Sequence, residues 1–183
     1  EAHERYATCI CLLGHYEEAT KHASIAYILD PYSLLNIFNV AVVYWMTGDG
    51  EKELEYGRRL VELEPNFYGG HLHVAGGLQL LKRYDEAVSE AEMALHQNYD
   101  SFTLRVLGQL YGNMGEKVKG REVIKKMKKL KNNQSISNYD IGVVCMSVGE
   151  FDNAFQYFEK ALKIHEGKLI YIKANMQYFP EFI

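Results

Sequence analysis

Apolar side chains recur three and four residues apart through most of this chain, with charged residues between them. Val123, Ile124, Met127 and Leu130 alternate with lysines in this way, the spacing that lines one face of an α-helix. Tyr16-Glu17-Glu18-Ala19, Tyr84-Asp85-Glu86-Ala87 and Phe151-Asp152-Asn153-Ala154 share one pattern, and the last two run on to Ala94 and Ala161 seven residues later. Small residues at those intervals predict helices that touch closely. The longest apolar stretches, such as Val40 to Met46, fall far short of the roughly 20 residues that cross a bilayer, so no membrane span is expected.

The helical segments repeat. Ile28-Leu29-Asp30-Pro31 and Glu62-Leu63-Glu64-Pro65 end similar stretches 34 residues apart, and the same step relates Gly14 to Gly48 and Gly115 to Gly149. Lys82 lies 34 residues after Gly48 and 33 before Gly115, which gives five units. First helices are predicted near 2–13, 34–46, 68–80, 102–113 and 136–147. Second helices are predicted near 16–28, 51–63, 84–96, 117–130 and 151–163.

A period near 34 with two helices per unit resembles the tetratricopeptide repeat family. The residues that carry the resemblance are Gly14-His15-Tyr16-Glu17-Glu18-Ala19 through Ala26 to Asp30-Pro31, Leu107-Gly108-Gln109-Leu110-Tyr111, and Gly149 to Ala154 through Ala161-Leu162. It covers about residues 1–166. The implied fold is all-α: a right-handed α-solenoid of five tandem helix hairpins in a single domain, 1–183, with repeats at about 1–33, 34–67, 68–100, 101–134 and 135–167. A hairpin cannot bury its apolar stripe alone, so stacking makes the core and a terminal cap is required. A capping helix is expected at about 168–176. The chain departs from the family pattern at Gly50 and Lys117, where an aromatic is usual, and at Glu53 and Gly120, where alanine is usual. Tyr99, Asn132 and Glu166 stand where proline is usual.

With 20 Lys and Arg against 24 Asp and Glu, the net charge of −4 draws the chain as a whole to neither nucleic acid nor an anionic membrane. The distribution is uneven. From Glu116 to Lys131 eight basic residues face two acidic ones, so this stretch carries +6 and the remainder −10. The apolar stripe within it places the lysines on the solvated outer face of a second helix. Three cysteines, Cys9, Cys11 and Cys145, are an odd set in a chain large enough to build a core, which argues for a reducing cytoplasm. His71-Leu72-His73 puts two imidazoles about 200° apart on a helix, whereas shared metal ligation needs a spacing of three or four. Gly69-Gly70 and Gly76-Gly77 lack the spacing of a phosphate cradle and read as close helix packing. No catalytic residue, metal or cofactor is expected.

In the family, first helices line a concave surface, and the resemblance carries its projecting positions onto this chain. They are Phe38, Asn39, Val42, Trp45 and Met46; Leu72, His73, Gly76, Gln79 and Leu80; Arg105, Val106, Gln109 and Asn113; and Tyr139, Asp140, Val143 and Met146. Of the five residues that clamp chaperone C-termini in some members only Asn39 matches, with Glu4, Thr8, Gly69 and His73 elsewhere, so that function is not expected. The implied function is a non-enzymatic protein-interaction module that takes a partner segment in its groove. Ser137 to Ile141, Gly149 to Ala161 and Leu169 to Lys173 are further similar to the ends of such regions in bacterial signalling proteins that carry a cyclase, a Ser/Thr kinase or a winged helix upstream. The alternatives are an acidic partner or nucleic acid on the lysine face, and an enzyme whose catalytic domain precedes Glu1.

Overall fold

The regular structure of the computed structural model, which describes residues 2–130 and 136–171, is helical throughout. The chain divides into two compact units, Glu1–Gln97 and Asn98–Ile183. The first contains α1 (Ala2–Leu12), α2 (Tyr16–Leu29), α3 (Leu34–Thr47), α4 (Gly50–Leu63), α5 (Tyr68–Leu80) and α6 (Tyr84–Gln97). The second contains α7 (Ser101–Asn113), α8 (Lys117–Leu130), α9 (Asn138–Ser147), α10 (Phe151–Lys163) and a 3-10 turn, Gly167–Tyr171. Every end of these ten α-helices lies within two residues of the position predicted from periodicity.

Local chemistry sets the ends. Ser33, Asp49, Asp100 and Ser137 each accept a hydrogen bond from the backbone N–H three residues on, which satisfies a donor the first helical turn leaves free. The turn inside each hairpin is the same five times. At Gly48 the chain enters the left-handed region (φ 77°), and Asp49 N–H donates back to Tyr44 C=O at 3.1 Å. Lys82 does likewise with φ 60°, and Arg83 N–H reaches Leu78 C=O at 2.9 Å. Only glycine adopts this conformation without a Cβ penalty, so the lysine is held there by the turn around it.

In the first unit, Ile37, Ala41 and Leu60 form a buried cluster against Tyr27, Phe38, Tyr56, Leu63 and Phe67. α4 and α5 approach so closely that a Cβ on Gly77 would lie 2.6 Å from Leu54 N and 2.7 Å from Gly50 O. The paired glycines are therefore a packing device, as their sequence context predicts. Ala87, Ala91 and Ala94 of α6 are fully buried, as are Ala154 and Ala161 of α10.

One expectation changes. Where an α-helix was expected over about 168–176, the described part is the 3-10 turn, and residues 172–176 lie outside the described residues. Leu169 N–H donates to Glu166 C=O at 3.1 Å, and this tighter winding keeps the side chains of Glu166 and Lys168 both against α9.

Candidate partner-binding faces

α3 has two unlike sides. Ile37, Val40, Ala41 and Val43 are fully buried, while Phe38, Asn39, Val42 and Trp45 are half-buried and recur at helical spacing. Met46 is turned inward. The half-buried strip is held in place: the Phe38 ring meets Phe67 and His73 edge-on, with centroids 5.7 and 5.0 Å apart. Thr8 Oγ1 donates to Asn39 Oδ1 at 3.3 Å, and Asn39 Nδ2 donates to Leu35 C=O at 2.8 Å. A largely apolar strip whose Phe38 and Asn39 are already held in place can receive an apolar side chain at reduced ordering cost.

α5 behaves differently. Leu72, His73, Gly76 and Gln79 are all buried, in a helix where every residue from Gly69 to Gln79 is closed off from solvent, and Leu80 is half-buried. His73 Nδ1 lies 3.1 Å from Glu53 Oε1. Glu53 fits because Gly76 leaves room, since a Cβ there would stand 2.4 Å from its Oε1. Burial pushes the Glu53 carboxyl well above its ordinary range and the His73 imidazole down to about 4. His71 pairs separately, with Glu90 Oε2 at 2.6 Å and Pro65 C=O at 3.0 Å. The two imidazoles of His71-Leu72-His73 thus turn to different carboxylates. A cavity of about 390 Å³ between α4 and α6, lined by Val61, Val74 and Leu78 with Glu62, Glu86 and Glu90, includes none of the carried-over groove residues.

In the second unit Arg105, Gln109 and Asp140 come together. Arg105 Nη1 donates to Gln109 Oε1 at 2.9 Å, and its Nε lies 3.4 Å from Asp140 Oδ1. Asp140 is 0% exposed, and its Oδ2 also accepts from Ser101 Oγ at 2.6 Å and Lys168 Nζ at 2.5 Å. Arg105 and Lys168 both stand over the Phe102 ring, at 4.6 and 5.8 Å. Beside them Glu166 caps α9. Its Oε2 accepts from Ser137 Oγ and Tyr139 N–H, and its Oε1 from Asn138 N–H and Nδ2. Partial burial raises the Glu166 pKa, but these four donors outweigh it and hold the carboxyl below its usual range. Val106, Tyr139, Val143 and Met146 are buried and Asn113 is half-buried.

Four networked residues, Glu53, Ser101, Glu166 and Lys168, were not singled out as site residues by their sequence. Glu53 and Glu166 did carry a signal, because both stand where the repeat pattern has another residue. Ser101 and Lys168 carry none. Among the described residues no group of three or more His, Cys, Asp or Glu side chains is placed to hold a metal ion. Burial raises the Cys11 and Cys145 thiols to about 11, so both stay protonated at neutral pH.

Comparison with known proteins places these features in a fold. Residues 136–166, the α9–α10 hairpin, match the tetratricopeptide repeat family. A thermophilic TPR protein of Thermus thermophilus superposes with a TM-score of 0.75 at 20% identity, over 97% of this chain and 98% of that one. Pseudomonas aeruginosa pilF gives 0.63 at 21% identity over 86% of this chain and 72% of that one. MamA gives 0.60 at 20% over 93% and 94%. The fold is an all-α solenoid of tetratricopeptide type.

Proposed function

We propose that this chain is a single, non-enzymatic protein-interaction domain, the regulatory or scaffolding end of a bacterial cytoplasmic signalling protein, and that α3 presents the main contact surface to a partner segment. The half-buried strip of Phe38, Asn39, Val42 and Trp45, fixed by Phe67, His73 and Thr8, supports this reading. Arg105, Gln109, Asn113, Tyr139, Asp140, Val143 and Met146 belong to the same carried-over set, but most are enclosed in their own unit. They act on a partner by holding the helices rigid.

Trp45, the one tryptophan, reports on the test. Peptides selected from a displayed random library against the folded chain are expected to blue-shift its emission. They are also expected to bind Trp45→Ala at least tenfold more weakly, a loss of about 1.4 kcal/mol. Peptides that bind Trp45→Ala and Phe38→Ala as well as the parent would end this reading.

A further inference from the structure

α8 reverses the charge pattern of the other second helices. α2, α4, α6 and α10 open with acids, Glu17 and Glu18, Glu51 and Glu53, Asp85 and Glu86, and Asp152, as the partial positive charge of a helix N-terminus favours. α8 has no acid in its first turn and carries Lys117 and Lys119 there. Lys117 and Lys119 work against helix stability there, whereas Lys128 and Lys129 in the last turn favour it, so stability accounts for only the end of the lysine run.

The buried side of α8 is Gly120, Val123, Ile124 and Met127. Lys117, Lys119, Arg121, Lys125, Lys126, Lys128 and Lys129 are all exposed. Little of this charge is neutralised from within. Lys119 lies 3.8 Å from Glu116, and Arg121 lies 2.8 Å from Glu150. Among the described residues Lys117, Lys125, Lys126, Lys128 and Lys129 make no salt bridge. Lys160 of α10 extends the patch, since it and Lys128 both stand over the Tyr157 ring, at 4.8 and 5.4 Å. Within the patch lies an apolar residue: Val118 is 67% exposed, and at about 100° per residue it shares one line of the helix with Lys125 and Lys129.

We propose that this face of α8 is a docking surface for an acidic, amphipathic segment of a partner protein. Its carboxylates lie along Lys125, Lys126, Lys128 and Lys129, and an apolar side chain covers Val118. The proposal does not depend on the α3 reading. Charge complementarity selects an anion, and two observations select a peptide over nucleic acid. The nearby rings of Tyr111 and Tyr157 lie under Lys119, Lys128 and Lys160, so they offer no open platform for stacking bases. The one arginine of the patch commits its Nε to Glu150 Oε1 at 2.8 Å, which ties up part of the fork that reads a guanine edge.

Two labelled peptides of about four helical turns test this, one of glutamates with leucines at helical spacing and one of glutamates alone, beside a short duplex DNA. In fluorescence anisotropy the Glu/Leu peptide binds the full chain, more weakly as salt rises, and at least about tenfold more tightly than the duplex. Changing Lys125, Lys126, Lys128 and Lys129 together to Glu weakens it by about tenfold or more. The corresponding change to Gln, with unaltered circular dichroism, weakens it in the same direction. Val118→Ser weakens the Glu/Leu peptide and leaves the all-Glu peptide unchanged. The proposal falls if the parent does not bind the Glu/Leu peptide, if either fourfold variant binds it as the parent does, or if the duplex binds as tightly. It also falls if Val118→Ser affects both peptides equally or neither.

Discussion

Glu53 and His73 meet at 3.1 Å across the α4–α5 contact, with Glu53 1% and His73 8% exposed. Burial acts oppositely on their proton affinities, raising Glu53 above its usual 4.5 and lowering His73 from 6.5 to about 4. Above pH 4.5 the folded chain keeps a proton on Glu53 that the unfolded chain releases. Its contribution to stability is therefore complete below 4.5 and is lost as pH rises through the raised folded value. Below 6.5 the unfolded chain takes up a proton that folded His73 refuses until about pH 4, so stability also falls as pH drops through that window. Glu53→Gln keeps the size and removes the first effect. Its urea midpoint is expected to gain on the parent's as pH is raised, and to fall with the parent's on the acid side. Parallel curves at high pH would show that the carboxyl does not titrate with folding.

Lys82 is the only one of the five hairpin turn residues that is not glycine, and its φ of 60° matches the 77–88° of Gly14, Gly48, Gly115 and Gly149. A left-handed residue with a Cβ costs about 1 kcal/mol. Lys82→Gly is expected to raise the melting temperature, and Gly149→Ala, whose added Cβ would meet only Lys117 Nζ at 3.6 Å, to lower it by a similar free energy. A fall in Lys82→Gly would mean that the lysine side chain contributes more than its backbone costs.

Close helix contacts should resist added volume. Gly77→Ala places a methyl 2.6 Å from a backbone nitrogen of α4, which side-chain rotation cannot relieve. Ala87, fully buried in α6, has no room for leucine. Each change is expected to cost about 1–3 kcal/mol in urea unfolding. Ser89→Ala, at an exposed position of α6, is the control and should stay within about 0.5 kcal/mol.

Glu166 fastens the end of α10 to the start of α9 through four donors on Ser137, Asn138 and Tyr139. Its pKa is lowered, so its contribution is present above the usual 4.5 and lost as pH falls through the lower folded value. Glu166→Gln turns one acceptor into a donor facing donors, and is expected to cost about 1–2 kcal/mol at neutral pH. The difference from the parent should shrink on acidification. A constant difference would show that shape rather than charge matters there.

The sequence by itself determined the repeat, the ten helices and the residues at which each hairpin turns. These follow from local rules: apolar spacing, polar caps and the need for a left-handed residue after the first helix, which Gly48 meets freely and Lys82 meets under strain. It did not determine which side of a first helix stays open. Half-buried Phe38 and Trp45 and enclosed His73 and Gln79 were read from the same repeat register. Periodicity marks the face a helix turns to its own partner but is blind to what packs on the other side, and α5 and α9 are covered all round. The Glu53–His73 pair and the Asp140 network were likewise beyond it. Their directly bonded partners are up to 39 residues apart, and only the folded chain brings those groups within hydrogen-bond distance. There, loss of solvent makes the bonds between them necessary.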